Sequence, residues 1–289
     1  MKRAALTLLA IASLCGVAVA CSKGSDGSSG GIDAVPTGTF SPTEAGPPAE
    51  CFAENKLIHV VTRGLEMYRF DPARLSFTKV GNLACDASGA RPFSMAIDRA
   101  GTAWVLFSNG TLFTASTKDA SCTATTYAPK QLDFSTFGMA FVTTAAGGSA
   151  ERLFVADYDG KGLATIDTKA LTLTAEAPLV GGAELTGTGE ARMFAFLRGS
   201  ASEDPKVVEV DETTGATVSE RAMPGLEVGT AFAFAHWGGD FWLFTAPQGK
   251  SQVTRLKYDD GTVETVKTDV GFEVVGAGVS TCAPTTTPR

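Results

Sequence analysis

The chain has 289 residues, of which 44% are hydrophobic, so it is long enough to bury a substantial core. Its formal net charge is −7 and it carries no basic stripe, which argues against nucleic acid as a partner. Only two histidines are present, and neither a His-x-x-x-His nor a Cys-x-x-Cys spacing occurs, which argues against a zinc site.

An export signal is predicted over residues 1–20, where two basic residues precede an apolar run. This run is shorter than the roughly 20 apolar residues that a membrane-spanning helix needs. The run ends in Ala18-Val19-Ala20-Cys21, which resembles a bacterial lipobox and makes Cys21 the lipidated residue. Ala18 stands where leucine is usual, so ordinary cleavage and a secreted protein remain the alternative. Ser22 rather than aspartate follows, and by resemblance to the Gram-negative sorting pattern this predicts an outer-membrane lipoprotein that faces the periplasm or the surface.

A Gly/Ser/Pro-rich segment over residues 21–50 is predicted to be a disordered tether, because it holds too little apolar surface to offset its ordering entropy. Cleavage before Cys21 leaves five cysteines, an unusual odd number for an exported chain. If Cys21 carries lipid, four remain to form two disulfides in an oxidising compartment: Cys51, Cys85, Cys122 and Cys282.

Residues 51–289 are predicted to form one all-β domain, because short apolar runs alternate with Gly, Asp and Asn turns. An apolar-x-x-apolar strand, usually ending in an acid and followed by a turn and a second strand, recurs about every 44–51 residues. A period in the forties with four strands per unit is the spacing of a β-propeller. The five copies of this strand start at residues 67, 112, 163, 207 and 253.

Each repeat also has an earlier strand and, ahead of that, a short strand of small residues suited to the crowded centre of a ring. The first repeat lacks this innermost strand, and residues 274–280 supply a matching one at the other end. We therefore predict a five-bladed propeller of four-stranded antiparallel blades, closed by the C-terminal strand joining the first blade. The other innermost strands are predicted at Ser94–Asp98, Gly138–Val142, Leu185–Gly189 and Ala231–His236.

Ring closure predicts the cysteine pairing. Cys282 ends the closing strand and Cys51 precedes its neighbour at Leu57, so these two cysteines are expected to bond. Cys85 is then left with Cys122. Strand counting places those two at opposite faces of the ring, and four cysteines allow three pairings, so alternatives to this second pair stay open.

The run from Asp98 to Val105 resembles the Asp-x-x-Gly-x-x-Trp-Val hairpin of bacterial propellers of the NHL and virginiamycin-lyase type. The run from Tyr68 to Pro72 resembles repeats of secreted lactonase-like and WD-like propellers, and the whole body resembles propeller lipoproteins of myxobacteria. The residues of these motifs are those that form β-turns. The resemblance therefore implies the propeller architecture and identifies no catalytic residue in this chain.

No catalytic residue is identified, because a nucleophile elbow and a phosphate loop are both missing from the sequence. Asp157-Tyr158-Asp159-Gly160 begins like a calcium loop but lacks its further acids, which favours a β-turn. Propeller lactonases hold an axial calcium, and Glu184 and Glu273 start innermost strands in this chain. We expect no resident cofactor, with a calcium-dependent hydrolase or lyase as the alternative.

The predicted function is a non-enzymatic, lipid-anchored propeller, held to the membrane through its lipid and expected to be a monomer, that binds a protein, glycan or small ligand. Rigid blades present many variable loops, which suits binding. The predicted rim lies near the ends of innermost strands and consists of Ser94, Phe137, Glu184, Thr230, His236 and Glu273.

Overall fold

The computed structural model describes residues 51–288. The predicted signal over residues 1–20, the lipidation at Cys21 and the tether up to residue 50 lie outside the described residues. Within the described range, no helix is both long and apolar enough to cross a membrane.

Twenty strands form five antiparallel sheets of four, as predicted. Each alternates short apolar runs with turns at which glycine often takes a positive φ, the pattern that ends a strand and reverses the chain. Two short 3₁₀ turns, Ala53–Lys56 and Gln131–Asp133, complete the secondary structure of the described residues.

Each sheet is one blade, and its strands are named in order from the innermost to the outermost. Blade 1 contains β20 (Val274–Gly278), β1 (Ile58–Thr62), β2 (Glu66–Asp71) and β3 (Ser76–Asn82). Blade 2 contains β4 (Pro92–Ile97), β5 (Thr102–Phe107), β6 (Leu112–Ser116) and β7 (Cys122–Ala124). Blade 3 contains β8 (Phe137–Thr143), β9 (Glu151–Asp157), β10 (Leu163–Ile166) and β11 (Leu173–Ala177). Blade 4 contains β12 (Ala183–Gly187), β13 (Met193–Leu197), β14 (Lys206–Val210) and β15 (Thr217–Ala222). Blade 5 contains β16 (Phe232–Trp237), β17 (Asp240–Thr245), β18 (Gln252–Leu256) and β19 (Val263–Lys267).

The ring closes as predicted, because β20 pairs with β1 in the first blade. The antiparallel register places Val60 opposite Ala277 and Val61 opposite Gly276. Each innermost strand also contacts the innermost strands of the blades on either side, and β16 contacts β20 to complete the circle. The central edge of every blade therefore lies against its neighbours.

All five innermost strands run in the same direction, which defines two faces of the ring. We call the face where they begin the upper face and the face where they end the lower face. In every blade, the turn between the second and third strands lies at the upper face, since antiparallel neighbours reverse the chain there.

Small residues let the innermost strands approach one another closely, as the sequence predicts. A Cβ at Gly138 would lie 2.2 Å from the carbonyl oxygen of Ala183, and one at Gly187 would lie 2.1 Å from that of Phe141. Strands β8 and β12 are thus in backbone contact, and a side chain at either glycine would separate blades 3 and 4.

The innermost strand of blade 4 begins and ends two residues before the predicted Leu185–Gly189. It ends at Gly187 because the Thr188 hydroxyl accepts hydrogen bonds of 3.2 Å from the backbone N–H groups of Glu190 and Arg192. This side-chain turn captures the amides that a longer strand would have used.

Aromatic side chains fill the spaces between blades. The fully buried Phe70 of blade 1 lies 5.7 Å from Trp242 and 5.5 Å from Phe244 of blade 5, measured between ring centroids. Both contacts are edge-to-face, a geometry that favours packing beyond the burial of apolar area. Each blade therefore depends on its neighbour for part of its core.

Both predicted disulfides are present. Cys51 bonds Cys282 with a Cα–Cα distance of 5.4 Å, and Cys85 bonds Cys122 at 5.2 Å. The concern that Cys85 and Cys122 lie at opposite faces is wrong, because the twist of about 20–25° per strand pair tilts the outermost strands strongly toward the neighbouring blade. A Cβ at Gly81 on the outermost strand of blade 1 would lie 2.6 Å from the carbonyl oxygen of Asp119 in blade 2.

The described chain ends cover part of the lower face. Arg99, in the turn after β4, donates from Nη1 to the Thr281 hydroxyl at 3.1 Å and from Nη2 to Cys51 Sγ at 3.2 Å. Thr281 in turn donates to Glu151 Oε2 at 2.8 Å. Blades 1, 2 and 3 are thereby joined around the Cys51–Cys282 disulfide.

Candidate functional site

A cavity of about 250 Å³ lies at the upper face and is bordered by all five blades. Its volume is slightly below the roughly 300–1,000 Å³ of sites for drug-sized ligands, which suits a smaller molecule. The residues that line it are Arg63, Arg91, Pro92, Phe93, Ser108, Tyr158, Glu184, Thr230, Ala231, Phe232 and Val275. We call it the axial cavity.

Three aromatic rings from three blades form one wall of the axial cavity. Phe93 meets Tyr158 edge-to-face at 5.2 Å, and Tyr158 stacks on Phe232 at 6.2 Å. Tyr158 lies between the other two because a Cβ at Gly182 would fall 3.2 Å from its ring, so only glycine leaves the space. The rings are not coplanar, and together they offer aromatic edges and faces on which a flat apolar body can pack.

Two arginines, Arg63 and Arg91, line the axial cavity. Arg63 is neutralised by a bidentate pair with Glu273, whose Oε1 accepts from Arg63 Nη2 at 2.8 Å and from the Thr230 hydroxyl at 2.9 Å. Hydrogen bonds from Arg63 lower the pKa of Glu273. Arg91 is exposed and has no carboxylate within salt-bridge distance among the described residues.

Arg198 supplies a second positive charge beside the wall, since its Nη1 donates to the Tyr158 hydroxyl at 2.9 Å. Among the described residues it too has no carboxylate at salt-bridge distance. Two arginines without a carboxylate partner, Arg91 and Arg198, therefore lie at or beside the axial cavity, which favours an anion there.

The floor of the axial cavity holds a buried acid. Glu184, on β12 of blade 4, is 3% exposed, and its Oε2 accepts a 2.8 Å hydrogen bond from the fully buried Ser94 hydroxyl on β4 of blade 2. Burial raises the pKa of Glu184 well above its usual range, and the Ser94 hydrogen bond offsets this only in part. The bond crosses the axis between two blades that are not neighbours in the ring.

Four of the six predicted rim residues lie at or beside the axial cavity. Glu184 and Thr230 line it, Ser94 contacts Glu184, and Glu273 contacts Arg63 and Thr230.

The other two predicted rim residues lie elsewhere. Phe137 is fully buried between blades 2 and 3, 6.2 Å from the ring of Tyr127. His236 is near the end of β16, at the lower face, stacked on Phe194 at 5.8 Å and 6% exposed. Burial lowers the pKa of His236 to about 4. A strand's start and its end lie at opposite faces of the ring, so one rim cannot hold both.

Nine of the eleven lining residues were not predicted from the sequence, and those with a charged or aromatic side chain are Arg63, Arg91, Phe93, Tyr158 and Phe232. Two kinds of segment reach the upper face in every blade: the loop before the innermost strand and the turn between the second and third strands. Residues in or next to these segments could therefore have been assigned to the upper face from the predicted strand order. Tyr158 sits in the second kind of segment, for which the sequence predicted only a turn.

The turn at Asp157 is built as a hairpin. Its carboxylate Oδ2 accepts from the backbone N–H groups of Asp159, at 2.9 Å, and Lys161, at 3.1 Å. One carboxylate oxygen is thus occupied by the turn itself. Across residues 51–288, no three His, Cys, Asp or Glu side chains lie close enough together to hold a metal ion.

A larger groove of about 500 Å³ lies on blade 3, but it is shallow and open to solvent. Its charged residues Arg152 and Glu176 pair with each other, so it offers little unsatisfied chemistry to a ligand. The axial cavity is therefore the stronger candidate.

No family model matches the chain, and no curated protein matches it. Solved structures do. A chain of the nidogen/laminin complex has a TM-score of 0.51 at 9% identity, over 77% of this chain and 97% of that one.

Two further structures score lower. Hydrazine synthase from Kuenenia stuttgartiensis gives a TM-score of 0.44 at 14% identity, over 82% of this chain and 71% of that one. The PQQ-bound aldose sugar dehydrogenase from Streptomyces coelicolor gives 0.45 at 8% identity, over 76% and 80%. At 9% identity the likeness to the nidogen/laminin chain extends to the fold alone, and the five four-stranded sheets arranged in a ring make this chain a β-propeller.

Proposed function

We propose that this protein is a lipid-anchored envelope protein whose propeller binds a small anionic molecule with a flat apolar body in the axial cavity. The observation that carries the proposal is the combination, in one cavity, of the Phe93–Tyr158–Phe232 wall and the exposed Arg91 guanidinium. A concave site of this size favours a small ligand over a protein or glycan, which would need a broader surface.

The alternative of a calcium-dependent hydrolase or lyase has less support. Of the two axial acids predicted from the sequence, Glu273 is paired with Arg63, and Glu184 is bonded to Ser94 in a site that disfavours its charge. With both acids engaged, the described residues provide no cation ligand set.

The described part of the chain begins at the lower face. Cys51, the first described residue, bonds Cys282 there, so the chain enters the propeller from the face opposite the axial cavity. The two disulfides indicate an oxidising compartment outside the cytoplasm.

Binding is tested by calorimetry on the full-length protein with 4-acetylbenzoate as the probe and its neutral amide, 4-acetylbenzamide, as the matched control. We expect the carboxylate to bind and the amide to bind about tenfold more weakly, because charge-assisted contacts to arginine are lost. Arg91→Gln should remove this preference, whereas Arg221→Gln on the outermost strand β15 should keep it. Absence of binding by both probes would overturn the proposed ligand class.

Anchoring is tested by radiolabelled palmitate incorporation in a Gram-negative host. We expect label in the wild-type protein and in Cys15→Ala, which changes a cysteine inside the predicted signal, and none in Cys21→Ala. Unlabelled wild-type protein released into the medium would show instead the secreted alternative.

A further inference from the structure

Glu184 is a buried acid with no cation beside it. Among the described residues no lysine, arginine or histidine lies within salt-bridge distance of its carboxyl group, and its one side-chain hydrogen bond comes from the neutral Ser94. An ionised carboxylate that is removed from water without a counter-charge is strongly unfavourable, so this site favours the neutral acid.

The hydrogen bond to Ser94 engages one of the two carboxyl oxygens. Ser94 Oγ has one proton and donates it to Glu184 Oε2 at 2.8 Å, so Oε2 acts as the carbonyl-type acceptor. No donor or acceptor among the described residues reaches Oε1, and Glu184 lines the axial cavity. With Ser94 as the donor, the proton of the neutral acid is assigned to Oε1, where it can be donated to a ligand.

The floor, the wall and the mouth of the axial cavity carry different chemical groups. The floor carries this neutral donor, the wall carries three aromatic rings, and the mouth carries Arg91. A ligand that satisfies all three has a hydrogen-bond acceptor at one end, a flat body, and a negative group at the other end. A molecule that lacks the inner acceptor would cover the Oε1 hydroxyl and leave it without a partner, which costs binding free energy.

We propose that Glu184 acts as a neutral hydrogen-bond donor at the floor of the axial cavity and selects anionic aromatic ligands that carry a carbonyl-type oxygen opposite their carboxylate. This inference rests on the proposed function and names the ligand class of the same site. Ser94 is the positioning residue, because its hydrogen bond holds Oε2 and turns Oε1 toward the ligand.

The test compares two probes of matched shape by calorimetry on the full-length protein. 4-Acetylbenzoate presents a carbonyl oxygen opposite its carboxylate, and 4-isopropylbenzoate presents only methyl groups there. We expect 4-acetylbenzoate to bind about tenfold more tightly, as for one hydrogen bond made or left unmade in a buried site.

Glu184→Gln separates a neutral donor from a negative charge. The amide oxygen accepts from Ser94 and the amide N–H group replaces the acid proton, so we expect this variant to keep the preference within about threefold. The double variant Ser94→Ala/Glu184→Leu removes donor and partner together, leaves no buried polar atom behind, and should bind both probes equally. Thermal unfolding of each variant checks that it is folded.

The outcomes separate the two proposals. Equal binding of the two probes by the wild-type protein overturns the role of Glu184 and leaves the proposed function standing. A third probe, 4-(aminomethyl)benzoate, carries a cationic group opposite its carboxylate. Preferred binding of this probe, lost in Glu184→Gln, also overturns the role, because Glu184 would then be ionised. Absence of binding by all three probes overturns the proposed function and this inference with it.

Discussion

The Ser94 hydroxyl donates a 2.8 Å hydrogen bond to Glu184 Oε2 across the axis of the ring, joining the innermost strands of blades 2 and 4. Blade 3 separates these two blades along the chain. The bond therefore depends on the whole ring being assembled, and it places an acid with a raised pKa at the centre of the fold.

Glu184→Gln is expected to stabilise the protein progressively as the pH rises above 5. The pKa of Glu184 is raised in the folded state, so between its unfolded pKa and its folded pKa the folded chain holds a proton that the unfolded chain releases. Stability contributed by this group therefore falls with pH by about 1.4 kcal/mol per unit until the folded pKa is reached. Glutamine does not titrate and lacks this dependence.

The measurement is the unfolding temperature of both proteins from pH 5 to pH 8. The difference between Glu184→Gln and wild type should widen with pH, whereas the control Glu264→Gln on the exposed outermost strand β19 should show no such widening. A constant difference for Glu184→Gln would mean that the group is ionised in the folded protein.

The two histidines should act in the opposite direction, making the protein less stable in acid. Burial lowers the pKa of His59 and of His236 to about 4 each, from an ordinary value of 6.5. Between pH 6.5 and 4 the unfolded chain binds protons that the folded chain does not, so stability falls on acidification by about 1.4 kcal/mol per unit for each histidine.

His59→Leu isolates one of these contributions. The ring of His59 is fully buried beside Arg69 on the neighbouring strand, and neither nitrogen has a well-formed hydrogen bond, so leucine removes a poorly satisfied polar group as well as a titrating one. We expect the variant to be at least as stable as wild type at pH 7 and to lose about half of the acid dependence. If the stability of His59→Leu falls between pH 6.5 and 4 as steeply as that of wild type, the lowered pKa of His59 is contradicted.

The sequence was sufficient for the architecture because the architecture repeats. Five copies of one strand pattern predicted the blades, and the missing innermost strand before Leu57 predicted the closure with β20 and the Cys51–Cys282 pair. The blades, the closure and this disulfide all follow from the order of the strands along the chain. The pairing of Cys85 with Cys122 was harder to predict, because the strand twist that brings these two cysteines together accumulates over a whole blade.

The candidate site was predicted less completely, for a physical reason. Glu184 was found because it starts an innermost strand, whereas Phe93 and Tyr158 depend on where side chains from separate blades converge. Phe137 also starts an innermost strand, but it packs into the interface between blades instead. Strand order places a residue at a face, while its contacts are set by twist and packing.

Removing the ring-closing disulfide should destabilise the protein more than removing the other one. The Cys51–Cys282 bond closes 231 residues and the Cys85–Cys122 bond closes 37, which in the chain-entropy model gives about 5 and about 4 kcal/mol. The comparison uses the double serine variants of each pair, with unfolding free energies from denaturant titration.

Hydrogen exchange adds a local readout. In Cys51→Ser/Cys282→Ser, the amides of β20 should lose protection before those of the other innermost strands, because β20 is held to blade 1 only by its contacts with neighbouring strands. Uniform loss of protection around the ring would indicate that the disulfide stabilises the propeller as a whole and has no special role in closure.

Gly187→Ala should destabilise the contact between blades 3 and 4. A Cβ there would lie 2.1 Å from the Phe141 carbonyl oxygen and 2.7 Å from a methyl group of Val142, so strands β8 and β12 must move apart. Overpacking of this kind costs about 1–3 kcal/mol.

Gly64→Ala is the matched control, since its Cβ would meet only side-chain atoms at 3.5 Å or more. We expect a lower unfolding temperature for Gly187→Ala and little change for Gly64→Ala, and equal unfolding temperatures would contradict the close backbone contact. Because β12 also carries Glu184, Gly187→Ala should in addition weaken 4-acetylbenzoate binding, which Gly64→Ala should leave intact.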